Sequence, residues 1–198
     1  LDATPAVVPV ASLMSTTYDA FNPSQWAWIC RVKKLGRAAP VTGRFEKRSL
    51  NAVIQSLRPL MADPTEIRHV PRILSEAGVR FVVVEHLAKT RIDCACIWFD
   101  QSTPVVALSL RYGRIDNFWF NLMHEIAHAF NGDGLRSDCL AIDIDLVGEM
   151  RPDGEPRPPH EERANKIAQE ALIPAHVFDD WISRTTPLFS EASIRNFA

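Results

Sequence analysis

Apolar residues recur at helical spacing at both ends of the chain, with β-rich runs between them. Leu50, Val53, Ile54 and Leu57 repeat in three- and four-residue steps over residues 46–57, and Pro59 stops the pattern. Asp63-Pro64-Thr65-Glu66 reads as a capping box with proline in the first turn, opening a helix that Gly78 can close. Residues 79–84, 92–99 and 105–110 are rich in β-branched and aromatic side chains and are separated by short polar turns, which predicts a meander. Residues 118–130 are different. At about 100° per residue, Phe118, Trp119, Leu122, Met123, Ile126, Ala127 and Phe130 form one broad apolar face, and His124 and His128 fall together on the opposite side. A further helix is predicted over residues 160–172, with Ala164, Ile167, Ala168, Ala171 and Leu172 in register and Pro174 ending it. Helices, then a small sheet, then two helices make an α+β chain with the sheet packed on the 118–130 helix.

Composition narrows the function classes. The 198 residues are 46% hydrophobic, enough for a substantial core, yet no apolar stretch reaches the ~20 residues that cross a bilayer. A cytoplasmic protein without a membrane partner is expected. The start, LDATPAVVPVASLMS, lacks a basic leader region and contains two prolines, so it is a poor signal peptide. Leu1 in place of an initiator methionine, and a closing SEASIRNFA that reads as helix, lead us to expect a natural protein that continues on both sides. Cys30, Cys94, Cys96 and Cys139 have neither a paired metal-binding spacing nor the density of a disulfide scaffold; they read as small buried hydrophobes, Cys94 and Cys96 facing one side of a strand.

The formal charge of −2 hides an uneven distribution. Residues 31–80 carry eleven Lys or Arg against four acids, whereas residues 143–162 are strongly acidic. A basic stretch can contact nucleic acid, but without a helix-turn-helix pattern it reads as a solvated helical surface. The connection over residues 131–159, rich in Gly, Asp and Pro, is longer than usual and is expected to form a mobile rim over a cleft.

The chemistry concentrates in His124-Glu125-Ile126-Ala127-His128. Two imidazoles four residues apart on a helix can hold one metal ion, and the carboxylate between them can work on an activated water. A hydrolytic centre needs a third protein ligand. Asn131 and Gly134 stand where the metzincin pattern requires Gly and His, which excludes that subclass, and Asp133 is one residue short of an Asp-ligated variant. Glu161 is the better candidate, because it falls within the apolar stripe of its helix, where a carboxylate is costly to bury unless a cation meets it. Asn165, one turn later, is placed to hydrogen-bond a ligating histidine. Glu162 points outward as a plain first-turn charge.

With an apolar helix carrying HEIAH followed, after a polar insertion, by EERANKIAQEALIP, the chain resembles the ImmA/IrrE family of zinc metallopeptidases. By that match His124, His128 and Glu161 correspond to the zinc ligands and Glu125 to the general base. The stretch 71–119 is similar to members that carry an upstream helix-turn-helix region. Ile126-Ala127 replaces a frequent Leu-Gly, and Ala171-Leu172-Ile173-Pro174 a frequent Leu-Leu-Met-Pro; neither change removes a functional atom. The resemblance implies a zincin-like domain over residues 71–198, preceded by a helical region over residues 1–70. It also implies a protein substrate, a transcriptional repressor in stress-response or mobile-element regulation, and DNA contact through a region outside this chain. The competing reading is an antitoxin-like or DNA-binding regulator that keeps the zincin domain as a sensor or scaffold without turnover. Oxyanion stabilisation falls to Tyr112, His160 or Arg111, among which the sequence does not choose. The strand at residues 105–110 is expected to lie at the sheet edge and take an extended substrate by strand addition.

Overall fold

The computed structural model describes residues 21–135, 141–144, 158–187 and 189–197. Cys139 and most of the acidic connection lie outside them. Helix α1 (Pro23–Ala38) opens on a capping box: Asn22 Oδ1 accepts from Gln25 N–H at 3.0 Å, and Gln25 Oε1 accepts from Asn22 N–H at 2.8 Å. It buries Trp28, Ile29 and Val32 against the sheet. At Gly36 the helix comes so near that a β-carbon would lie 3.0 Å from Val105 Cγ1.

Helix α2 (Leu50–Leu57) is flanked by short 3-10 turns, and α3 (Val70–Glu76) follows a 3-10 segment, Pro64–His69. The expected capping box at Asp63 forms only half. Asp63 Oδ1 accepts from the backbone and hydroxyl of Thr65, both at 2.8 Å, but the Glu66 side chain turns away to Arg68 and His69. Drawn to Arg68, it leaves the cap without its reciprocal arm, and the first turns wind as 3-10 helix.

Strands β1 (Arg80–Val83), β2 (Ile92–Trp98), β3 (Pro104–Leu108) and β4 (Ala141–Ile144) form a sheet ordered β1-β3-β2-β4. This is not the expected meander. The β2–β3 hairpin is antiparallel, closed by Asp100 accepting from Ser102 and Thr103, but β1 pairs parallel with β3. The β1–β2 connection, residues 84–91, is too long for a tight hairpin, and positive φ at Lys89 (68°) and Arg91 (52°) steers it past the end of β3. Nor is the strand at residues 105–110 an edge. β3 lies inside the sheet with all five residues buried, and β1 and β4 hold the edges.

The two faces of the sheet feed two cores. Ile92, Ala95, Ile97, Val105 and Ala107 meet α1, while Cys94, Cys96, Val106 and Leu108 meet α2, α3 and the long helix α4 (Ile115–Asn131). Helices from residues 21–70 therefore share both cores with the strands. Ile92 and Cys94 are two residues apart yet face opposite ways because the β2–β4 register shifts between them, as at a bulge. Each large aliphatic or aromatic side chain buried in these layers contributes about 1.5–3 kcal/mol.

Helix α4 is enclosed from Phe118 to Phe130 apart from half-buried Phe120. Its apolar face meets the sheet as predicted. The imidazole side, read from the sequence as opposite the packing face, is buried as well, under α5 (Pro159–Leu172), which presents Ala164, Ala168 and Ala171. Small side chains allow this close approach. Helices α6 (Ala175–Thr185) and α7 (Glu191–Phe197) follow and bury none of their residues. No helix among the described residues is long and apolar enough to cross a membrane.

Candidate metal centre

Two helices build the site. On α4, successive turns place His124 and His128 side by side with ring centroids 4.5 Å apart; on α5, the first turn points Glu161 at them. His124 Nε2 lies 2.8 Å from His128 Nε2, and Glu161 Oε2 is 3.2 Å from the first and 3.5 Å from the second. The sequence placed these three residues in one centre, and the fold brings them together. They can hold a metal ion. Their donor atoms lie on a circle of about 1.8 Å radius, slightly less than the roughly 2.0–2.2 Å at which nitrogen and oxygen bind such an ion. A point at bonding distance from all three therefore exists just off their plane.

Charge in the site is strongly coupled. Burial works against ionisation of Glu161, but hydrogen bonds from His124 and His128, and their fields, hold its carboxyl well below the usual carboxylate range. Burial also disfavours a charged His128; the Glu161 hydrogen bond and the field of Glu125 outweigh it and raise the imidazole. Glu125 is fully buried on the turn between the histidines. Its field, after burial itself, also raises the Cys96 thiol beneath the helix, so that cysteine stays protonated and packs as a small hydrophobe.

The remaining expected site residues divide. His160 Nε2 lies 3.3 Å from Glu161 Oε1, the oxygen turned away from the histidine pair, so His160 stands at the rim. Arg111 lies 3.6 Å from Asp93 with its guanidinium 5.0 Å over the Tyr112 ring, both lining a small recess with Asn117 and Asn121 near the start of α4. Asn165 is buried, but its Oδ1 has no hydrogen-bond partner among the described residues. At His128 its expected place is taken by Asp133, whose Oδ2 lies 3.0 Å from Nδ1, the ring nitrogen facing away from the centre. Asp133 is thus not a third ligand either. Arg163 Nη2 donates to Asp133 Oδ1 at 2.9 Å.

Sequence reasoning missed the pairing of Asp133 with Arg163. A signal for the first exists: Gly132 directly follows the apolar helix, and a left-handed glycine there folds the next residue back on the last turn. Nothing local announced Arg163. Compared with known proteins, the chain matches no family model, no curated protein and no solved structure.

Proposed function

We propose that the chain is a zinc-dependent metallopeptidase of the ImmA/IrrE kind, acting in the cytoplasm on a protein substrate, a transcriptional repressor. The observation that carries this reading is the convergence of His124 Nε2, His128 Nε2 and Glu161 Oε2 with Glu125 buried on the intervening turn. Two imidazoles and one carboxylate are the donor set that suits catalytic zinc, leaving a fourth position open. Zinc, when bound, supplies a Lewis acid that makes water easier to deprotonate and polarises a carbonyl.

The chain's own groups supply the rest. His124 and His128 offer neutral ring nitrogens, and Glu161 brings the negative charge that balances a cation. Glu125 accepts the proton of the attacking water and passes it to the leaving amine nitrogen. Its burial keeps bulk water from competing for that proton. His160, half-buried at the rim beside Glu161, is the nearest candidate to donate to the developing oxyanion.

Metal content measured by mass spectrometry on protein purified without added metal, together with cleavage of candidate repressors, tests the reading. We expect about one zinc per chain, lost in Glu161→Ala. Glu125→Gln should keep the zinc and lose hydrolysis. A metal-free wild-type protein would sink the peptidase reading, and a full zinc complement without cleavage would move the weight to a regulator that does not turn over.

A further inference from the structure

Asp133 is held on all sides. Gly132 adopts φ 77°, and the reversal lets both Gly132 N–H and Asp133 N–H donate to His128 C=O at 3.0 Å. The Asp133 carbonyl accepts from Trp98 Nε1 at 2.8 Å, tying it to the end of β2. One carboxylate oxygen is 3.0 Å from His128 Nδ1, and the other accepts from Arg163 at 2.9 Å. Asp133 is mostly covered, with 14% of its side chain exposed, while Arg163 is half exposed. A surface carboxylate does not need this much scaffolding.

His128 faces a carboxylate oxygen on each ring nitrogen, Asp133 Oδ2 at 3.0 Å from Nδ1 and Glu161 Oε2 at 3.5 Å from Nε2, and the shorter contact favours a neutral ring with its proton on Nδ1. Its lone pair then lies on Nε2, the atom that faces His124 and Glu161. We propose that Asp133 is a positioning residue: it fixes the His128 tautomer and ring angle so that Nε2 is presented unprotonated to the metal, and Arg163 holds the carboxylate in that pose. The proposal rests on the metal-centre reading above. It adds a link between the helices, since α5 supplies both Glu161, a donor, and Arg163, two residues on, which closes the seat of Asp133. Docking of α5 thereby completes the ligand set and orients the ligand already on α4.

Two readouts test it on the full chain. Long-range nitrogen–proton NMR on metal-free protein at alkaline pH reports the His128 tautomer, and competition with a chromophoric chelator reports zinc affinity. Wild type should show the Nδ1–H form. Asp133→Ala should shift His128 toward Nε2–H and weaken zinc binding about 10- to 100-fold. Asp133→Asn keeps the shape but can donate as well as accept, so it should fall between. Arg163→Met should produce a smaller loss that vanishes in the Asp133→Ala background, as expected for two residues acting in one chain of contacts. Zinc affinity in Asp133→Ala equal to that of wild type, or an unchanged tautomer, overturns the proposal. Should Asp133→Ala fail to fold, wild-type behaviour of Asp133→Asn in both readouts overturns it equally. If wild type itself binds no zinc, the metallopeptidase reading fails, while the tautomer comparison still decides the role of Asp133.

Discussion

Glu161 and His128 stabilise each other in opposite protonation senses. The Glu161 pKa is depressed from its ordinary 4.5, so its stabilising contribution is complete above that value and is lost as pH falls through the lower folded value. The His128 pKa is raised from 6.5, so its contribution is complete below 6.5 and is lost as pH rises through the higher folded value. In metal-free protein, the stability difference between wild type and Glu161→Gln should be largest between pH 4.5 and 6.5 and narrow on either side, as measured by urea unfolding across the range. Bound metal reverses part of this, since protons and metal compete for the same nitrogens and affinity falls on acidification. At this scale the sequence was informative where the chemistry is local. The spacing of His124, Glu125 and His128 expresses the centre directly, and Glu161 betrayed itself as a carboxylate on an apolar stripe. Asp133 was visible only as an alternative third ligand, one residue short, because counting from the second histidine assumes a continuing helix, whereas Gly132 turns the chain back toward the ring it left.

At the level of elements, the contact between α4 and α5 decides whether a centre exists. It is made by Ala164, Ala168 and Ala171, all buried, with Asn165 between them. Ala168→Leu adds three carbons to a filled interface and should cost about 1–3 kcal/mol by overpacking. Because the added bulk separates the helices, the same variant should lose zinc affinity though no ligand has changed; chelator competition beside a urea titration would reveal both. Helices α2, α4 and α5 were legible from apolar periodicity, as was the shared facing of Cys94 and Cys96 from strand alternation, whereas α1 and α6 were not. Strand order was not. Which strand lies beside β3 depends on pairing across 25 residues, from Arg80 to Val105, and no local pattern encodes it. A continuous buried run such as Pro104–Leu108 also suits an interior strand better than an edge, which has one side to give to solvent.

Across the whole molecule, the sheet lies between α1 on one face and α4 on the other, and the centre lies outside both cores, under α5. A ligand that binds only the folded state stabilises it by mass action. Zinc at about one hundred times its dissociation constant should add roughly 2.7 kcal/mol, seen as a rise in melting temperature that a chelator removes. Glu161→Ala should show almost none of that rise, whereas Arg31→Ala, an exposed change on α1, should respond as wild type does. The double covering of the sheet was only half visible beforehand, since α1 falls in a region whose basic side chains suggested a surface and whose Trp28, Ile29 and Val32 were read as no element at all.

The unequal enclosure of the two site helices sets how quickly the centre can open. Helix α4 is sealed along nearly its whole length, so its amides should exchange with solvent only in openings close to global unfolding. Helix α5 grips through alanines, one asparagine and the half-buried Ile167 and Leu172, keeps several residues in contact with water, and should lift in a smaller and more frequent opening. Glu161 and Arg163 travel with it; the histidine pair stays behind. The dwell time of a bound ion should then follow the lifting of one helix, a motion that draws only Ala168 and Ala171 out of the core beneath it and leaves the core under α1 shut.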